Sequence, residues 1–494
     1  MSLIDYAVKS TTAYIENMPK SLRKNYGQFF TSKETAQFMA SLFDIPKDKS
    51  EITVLDPGAG SGILSIALLD RLREYDISAV ELVCYENDEK VIELLRKNLD
   101  YMTEHLNYKL NYYIKNDNYI VSQEFDYNHM IGSSPEPLKV DMVIGNPPYK
   151  KISKDAAEAL AMPDVCYGAP NLYFLFTEMS LFNLVDEGEM VYIIPRSWTS
   201  GAYFKQFRQK FFSECTLQHI HLFLSRDKVF EQESVLQETI IIKVKKSCDK
   251  QDFINITTTN SNKDFSELTQ FFVPYDVVIS GKEKYVYLVT NSNEINILEN
   301  LNKWKDTLPS LGLKMKTGLT VDFRNRDLLR NNEEDSTVPL FYSQHIQSGK
   351  VIFPIGKDNE YICTEQTGLL QKNTNYLFVK RFTAKEEHRR LQCGIYLSRL
   401  YPSYDMISTQ NKINFIDGLK ELSECAVYGL YVLFNSKLYD CYYRILNGST
   451  QVNSTEVNSM PVPPMNVIES MGKDLIAVRD MSEDSCDRIL RSYL

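Results

Sequence analysis

Glu51–Gly62 reads EITVLDPGAGSG and runs straight into Ile63–Leu72, ILSIALLDRL. The apolar run Ile52–Leu55 predicts a buried strand, and Asp56 closes it. A loop of glycine, alanine and serine follows, and then an apolar helix begins. Glycines at 58, 60 and 62 let the backbone approach a ligand closely, while the helix N-terminus offers free N–H groups. The spacing DxGxGxG differs from the dinucleotide fingerprint GxGxxG. An acid at the strand end suits a ligand that carries an amino acid's ammonium group. The order strand, glycine loop, helix predicts an α/β domain with its site at the strand's C-terminal end.

The next segments repeat the unit. Glu81–Glu86, ELVCYE, predicts a second strand, followed by the helix DEKVIELLRKNL. Glu86 stands 24 residues beyond Gly62, where doubly wound folds place an acid on ribose hydroxyls; a helix cap accounts for a carboxylate there too. After the strand Asn111–Ile114, Asp117 can accept from an exocyclic amine or simply make an Asx turn. Val140–Tyr149 reads VDMVIGNPPY. A short strand ends at Gly145, and the two prolines fix φ and remove two backbone donors, so the loop is stiff. Asn146 and Tyr149 then present an amide and a ring at a sheet rim, which suits a flat, amine-bearing ring. Taken alone, Pro-Pro is explained as well by a rigid turn. Further strands are expected at Met190–Ile194, His219–Leu224 and Thr239–Val244, with a helix at Phe204–Phe212. The alternation predicts a mostly parallel α/β sheet with an antiparallel ending. Upstream, residues 1–26 look helical, and Thr31 or Ser32 can cap the helix after GQFFTS.

Composition narrows the class. The opening MSLIDYAVKSTTAYIENMPK has no apolar signal core, and no run is long enough to span a membrane. Nine scattered cysteines without a CxxC pair argue for reduced thiols, a cytoplasmic setting, and no structural metal. Net charge is −10, with −7 over residues 1–250 and −3 over residues 251–494, so a nucleic-acid partner needs a local basic face. The pattern changes after Cys248, where strands shorten and polar residues thicken. Two domains are expected, 1–248 and 249–494. Three stretches of the second half stand out: Lys314–Asp327 (KMKTGLTVDFRNRD), Lys380–Arg390 (KRFTAKEEHRR) and Asn447–Asn458 (NGSTQVNSTEVN). Phosphates call for lysine and arginine, base edges for amides and hydroxyls. Any one such run is also an ordinary solvated loop.

The order GQFFT, DPGAGSG, CYE, ND, NPPY, then a C-terminal half with TGLTVDFR, RFTAKEEHRR and QVNSTEVNSMPVP resembles the gamma-class amino-methyltransferases. These are DNA adenine-N6 methylases of restriction–modification systems, and the second half is most similar to type II members of the PstI/BsuBI kind. The resemblance implies a Rossmann-like methyltransferase sheet that uses S-adenosyl-L-methionine, with a mixed α+β target-recognition domain behind it. Double-stranded DNA is the implied substrate, and a separately encoded restriction endonuclease the implied partner. Carried over by residue, Thr31 meets the methionine end of the cofactor, Asp56, Gly58, Gly60 and Gly62 form its loop, Glu86 takes the ribose and Asp117 the adenine. Asn146 and Pro147 hold the target amine, and Tyr149, with Phe230, stacks on the extruded base. Lys314, Lys316, Arg324, Arg326, Lys380, Arg381, Arg389 and Arg390 are the candidate DNA contacts. Asn118 and Ala59 depart from the family's usual residues without steric conflict. Methylation of RNA or a protein glutamine is the alternative.

Overall fold

In the computed structural model of the protein, described residues are 2–17, 31–224, 239–249, 251–261, 265–384, 387–447 and 450–494. The chain divides into two units, Met1–Thr290 and Asn291–Leu494.

The first unit is built on one nine-stranded sheet. Its strands are β1 (Glu51–Pro57), β2 (Ala79–Tyr85), β3 (Lys109–Lys115), β4 (Val140–Gly145), β5 (Leu184–Pro195), β6 (Thr216–Phe223), β7 (Thr239–Lys245), β8 (Phe253–Thr259) and β9 (Thr269–Pro274). The order across the sheet is β3-β2-β1-β4-β5-β7-β6-β8-β9. From β3 to β5 all neighbours are parallel, and β7 inserts antiparallel between β5 and β6. The chain therefore winds outward from β1 through β2 to β3, then crosses back to β4. That reversal creates a crevice at the C-terminal ends of β1 and β4, the usual ligand position in such sheets.

Helices α1 (Leu3–Asn17), α2 (Lys33–Ser41), α3 (Ile63–Leu72) and α4 (Glu89–His105) accompany β1–β3. Ser32 caps α2 by accepting from the Thr35 N–H, as its place before the apolar run predicts. α3 is apolar nearly all round and joins one core with Val54, Leu82 and Ile144 of the strands. The crossover helix α5 (Leu172–Asn183) precedes β5, and α6 (Lys205–Glu214) precedes β6.

The expected boundary at 248/249 is too early. β8 pairs in parallel with β6 and β9 pairs antiparallel with β8, so residues 253–274 extend the first sheet. The threonine-rich INITTT hid a strand whose Thr257, Thr258 and Thr259 side chains are buried; Thr257 shares hydrogen bonds with His219 and His221, and Thr259 with His221.

The second unit is mixed α+β, as expected. One sheet has the order Leu313–Thr317, Ile413–Gly418, Tyr376–Lys380, Cys393–Tyr396, Lys350–Val351, Ile346–Gln347; a second has five short strands. Phe341, Tyr376, Phe378, Tyr396 and Phe415 form an aromatic core. Helices Glu424–Phe434 and Met465–Val478 touch backbone to backbone. A Cβ at Gly429 would lie 1.8 Å from the Ile468 carbonyl oxygen, and one at Gly472 1.8 Å from that of Cys425. Among the described residues no helix is long and apolar enough to cross a membrane.

Candidate active site

The first unit gathers its sequence motifs at one sheet edge. Asp56 ends β1, Glu86 follows β2 and Asn146 follows β4, on both sides of the point where strand order reverses. Gly58, Gly60 and Gly62 all have positive φ (80°, 57° and 83°), so the loop needs glycine at the three positions the motif names. A Cβ on Gly58 would stand 3.9 Å from Pro148 and 3.8 Å from Phe176, which places the glycine loop directly against the Pro-Pro loop. Asp56 is 1% exposed. Ser65 donates to its Oδ2 at 2.5 Å, and its Oδ1 has no hydrogen-bond partner among the described residues. Burial pushes the carboxyl up to about 7. A buried oxygen of that kind is complementary to an ammonium group, so the loop fits the donor expected from the sequence.

Glu86 clasps the same loop. Its Oε2 accepts from the Gly60 N–H at 3.0 Å, and its Oε1 from Asn87 and Asp88 N–H at 2.8 and 2.9 Å. Burial raises its pKa against the pull of these bonds. Asp88, not Glu86, caps α4, accepting from Lys90 and Val91. Asp117 is exposed beyond β3, whereas Asn118 makes the Asx turn there, accepting from Ile120 and Val121.

Asn146 has its amide oriented by two neighbours. The Tyr149 hydroxyl donates to Asn146 Oδ1 at 2.8 Å, and Asn146 Nδ2 donates to Thr31 Oγ1 at 3.3 Å. Thr31 thus joins the site, although 115 residues separate the two. Tyr149 is 8% exposed, with its hydroxyl also 3.3 Å from the Ile193 carbonyl. Its ring meets Tyr173 edge-on at 6.4 Å and 86°. Burial raises both tyrosine pKa values, so both hydroxyls stay protonated donors. Gly145 is required by packing: a Cβ there would lie 2.5 Å from the Tyr192 ring.

Sequence reading missed the supporting groups. Tyr173 of α5 shares a 2.9 Å hydrogen bond with Ser197, just beyond β5. Arg208 of α6 is fully buried, and its Nη1 donates to the carbonyls of Trp198, Ser200 and Gly201, pinning that segment. An arginine among the phenylalanines of KQFRQKFF was the available signal. Gly27–Phe30 and Phe230 lie outside the described residues.

A family model for the Eco57I restriction-modification methylase matches residues 71–230. Over 465 residues the chain is 34% identical to the type II methyltransferase M.BsuBI of Bacillus subtilis, covering 92% of this chain and 91% of that one. It is 32% identical over 495 residues to the type II methyltransferase M.PstI of Providencia stuartii, covering 97% and 94%. The chain belongs to the type II methyltransferases. The type IIL restriction-modification enzyme MmeI, solved in complex with DNA, shares the fold with a TM-score of 0.53 at 12% identity, over 99% of this chain and 73% of that one.

In this type II methyltransferase the eight candidate DNA contacts of the second unit have separate fates. Lys314, Arg324 and Arg326 are exposed. Lys316 is exposed and paired with Asp417 at 2.7 Å. Lys380 and Arg381 are half-buried at the end of their strand. Arg390 is a correction: at 1% exposure it is a core residue, its Nε donating to Thr383 while its backbone N–H and that of Leu391 donate to Asp440. Arg389 is taken up as well, by Glu483 at 2.7 Å and the Phe434 and Ser436 carbonyls. Much of Asn447–Asn458 is also internal. Asn447, Asn453 and Tyr443 donate to buried Glu456, and Asn458 pairs with the backbone of Met315 through both ends of its amide.

Proposed function

We propose that this methyltransferase transfers a methyl group from S-adenosylmethionine to the exocyclic N6 of an adenine in a specific duplex DNA sequence. Such a mark shields the sequence from a cognate restriction endonuclease. The observation that carries the reading is the close approach of Gly58 to Pro148, where a Cβ on the glycine would lie 3.9 Å from the proline ring, which supports the ammonium-seeking Asp56 and the amine-seeking Asn146 sharing one crevice.

The bound cofactor supplies an electrophilic methyl group on a sulfonium. Asp56, the three glycines and Glu86 are the residues that hold it, with Asp117 reserved for its adenine amine. Asn146 does the rest of the orienting. Adenine's N6 lone pair is delocalised into the ring and is a weak nucleophile. When Asn146 Oδ1 and the Pro147 carbonyl both accept from the NH₂ group, the nitrogen pyramidalises and its lone pair turns out of the ring plane. A carbonyl oxygen accepts two hydrogen bonds, so Oδ1 serves the amine while keeping the Tyr149 hydroxyl. This is positioning and electrostatic stabilisation without a strong base. An adenine inside a helix cannot enter the crevice, so it is flipped out, with Tyr149 as the ring that receives it.

The test is label transfer. Incubated with methyl-labelled cofactor and duplex DNA, the protein is expected to yield N6-methyladenine as the labelled nucleoside. Label in cytosine, RNA or a protein glutamine instead would refute the reading.

A further inference from the structure

The three polar stretches of the second unit converge at one end of its six-stranded sheet. Strand Leu313–Thr317 ends beside the start of Ile413–Gly418, with Thr317 opposite Asn414. Strand Tyr376–Lys380 ends there too, with Lys380 opposite Ile413. Beyond the strands, Asn411 N–H donates to the Thr320 carbonyl, Arg381 N–H to Lys412, and Val452 N–H to Arg381. Phe382 bridges Gln451. Gly318 makes the convergence possible, since a Cβ there would lie 2.1 Å from the Gln410 carbonyl oxygen.

This rim has an unusual surface. Phe323 is 62% exposed and Phe382 51%. Each ring carries its neighbouring arginine, Arg324 and Arg381, at 5.5 Å from the ring centroid. Arg324 and Lys412 are exposed, and among the described residues neither pairs with an acid. The nearby carboxylate of Asp322 is engaged by Gln410 Nε2 and by the Phe323 N–H. Cations without an acid partner and exposed rings at one rim of a chain with net charge −10 have a charge complement in a polyanion. The rings match the apolar part of a base edge, above all the thymine methyl, which an exposed phenyl contacts in the major groove.

We infer that this rim is the DNA-reading surface: Lys412 and Arg324 hold backbone phosphates, and Phe323 and Phe382 contact base edges. The inference rests on the duplex-DNA substrate proposed above. It relocates recognition away from Arg389 and Arg390 and adds two rings and a lysine that charge runs did not name.

The test uses the full chain and two readouts: affinity for a random-sequence duplex across a salt series, and the methylated motif found by modified-base sequencing. All variants lie on exposed side chains, and an unchanged melting transition of the second unit checks that each is folded. Lys412→Ala is expected to weaken binding on any sequence and to lower the salt slope by about 1. Arg399→Ala is the control: Arg399 is an exposed cation paired with Glu424, beyond Tyr396 at the opposite sheet end, and its loss leaves the slope unchanged. Phe382→Ala and Phe323→Ala are expected to keep random-sequence affinity within about twofold while the methylated motif loses discrimination at one or more positions. If Lys412→Ala matches Arg399→Ala and both phenylalanine variants keep the wild-type motif, this surface is wrong and the proposed function stands. If the wild-type chain neither binds nor methylates duplex DNA, both fall.

Discussion

Asn146 carries one amide, and among the described residues Thr31 and Tyr149 fix how it is turned. Thr31 accepts from the nitrogen and Tyr149 donates to the oxygen, so the oxygen is held as the acceptor an amine needs. Asn146→Ala is expected to lower the transfer rate by about a hundredfold or more while cofactor binding persists, measured by single turnover and by calorimetry. Tyr149→Phe keeps the ring and deletes the orienting donor. A loss of about tenfold in kcat with unchanged DNA affinity is expected, matching one hydrogen bond. Asp56 adds a pH dependence. Its folded pKa of about 7 lies above the unfolded 3.8, so the cofactor-free fold gains stability from the protonated form, and that gain is lost as pH rises from about 4 to 7. An ammonium ligand needs the carboxylate, so cofactor affinity is expected to strengthen about tenfold between pH 6 and 8, following the ionised fraction. In Asp56→Asn that pH dependence should vanish in the same titration.

Elements explain which motifs were legible in the chain. DPGAGSG was readable because its demands are local: three alternate positive-φ glycines and a strand end lie within seven positions. Gly62→Ala meets both a φ of 83° and a Leu95 methyl at 2.6 Å, so a loss of about 1–3 kcal/mol in denaturant unfolding is expected. The NPPY strand-to-loop turn was readable for the same reason. Arg390 was not, because what holds its side chain in the core is Thr383, the Asn447 amide 57 residues away and the Tyr443 ring. A run of charges looks solvated until its distant partners are known. Arg390→Ala leaves a buried space and unpairs Thr383 and Asn447, so a loss of about 2–4 kcal/mol in the second unit is expected, whereas exposed Lys412→Ala changes its melting little. β8 escaped notice because its INITTT side chains resemble a linker and its pairing depends on β6, over thirty residues earlier; β9 in turn pairs with β8.

At the scale of the whole molecule, the two units carry different features. The first presents a crevice at a strand-order reversal, where the glycine loop and the Pro-Pro loop face each other closely. The second folds three polar stretches into one cationic, ring-bearing rim, although the chain as a whole is acidic. Kinship with type II methyltransferases spans both units, since the match to M.PstI covers 97% of the chain. The central claim is that Asn146 presents a single, sequence-selected adenine amine for methylation. Modified-base sequencing of DNA from cells expressing the wild-type chain, beside cells expressing Asn146→Ala, tests it most directly. One short motif carrying N6-methyladenine in the wild type and none in the variant is the predicted result. Unmodified DNA in both, or an equal adenine mark in both, would contradict it.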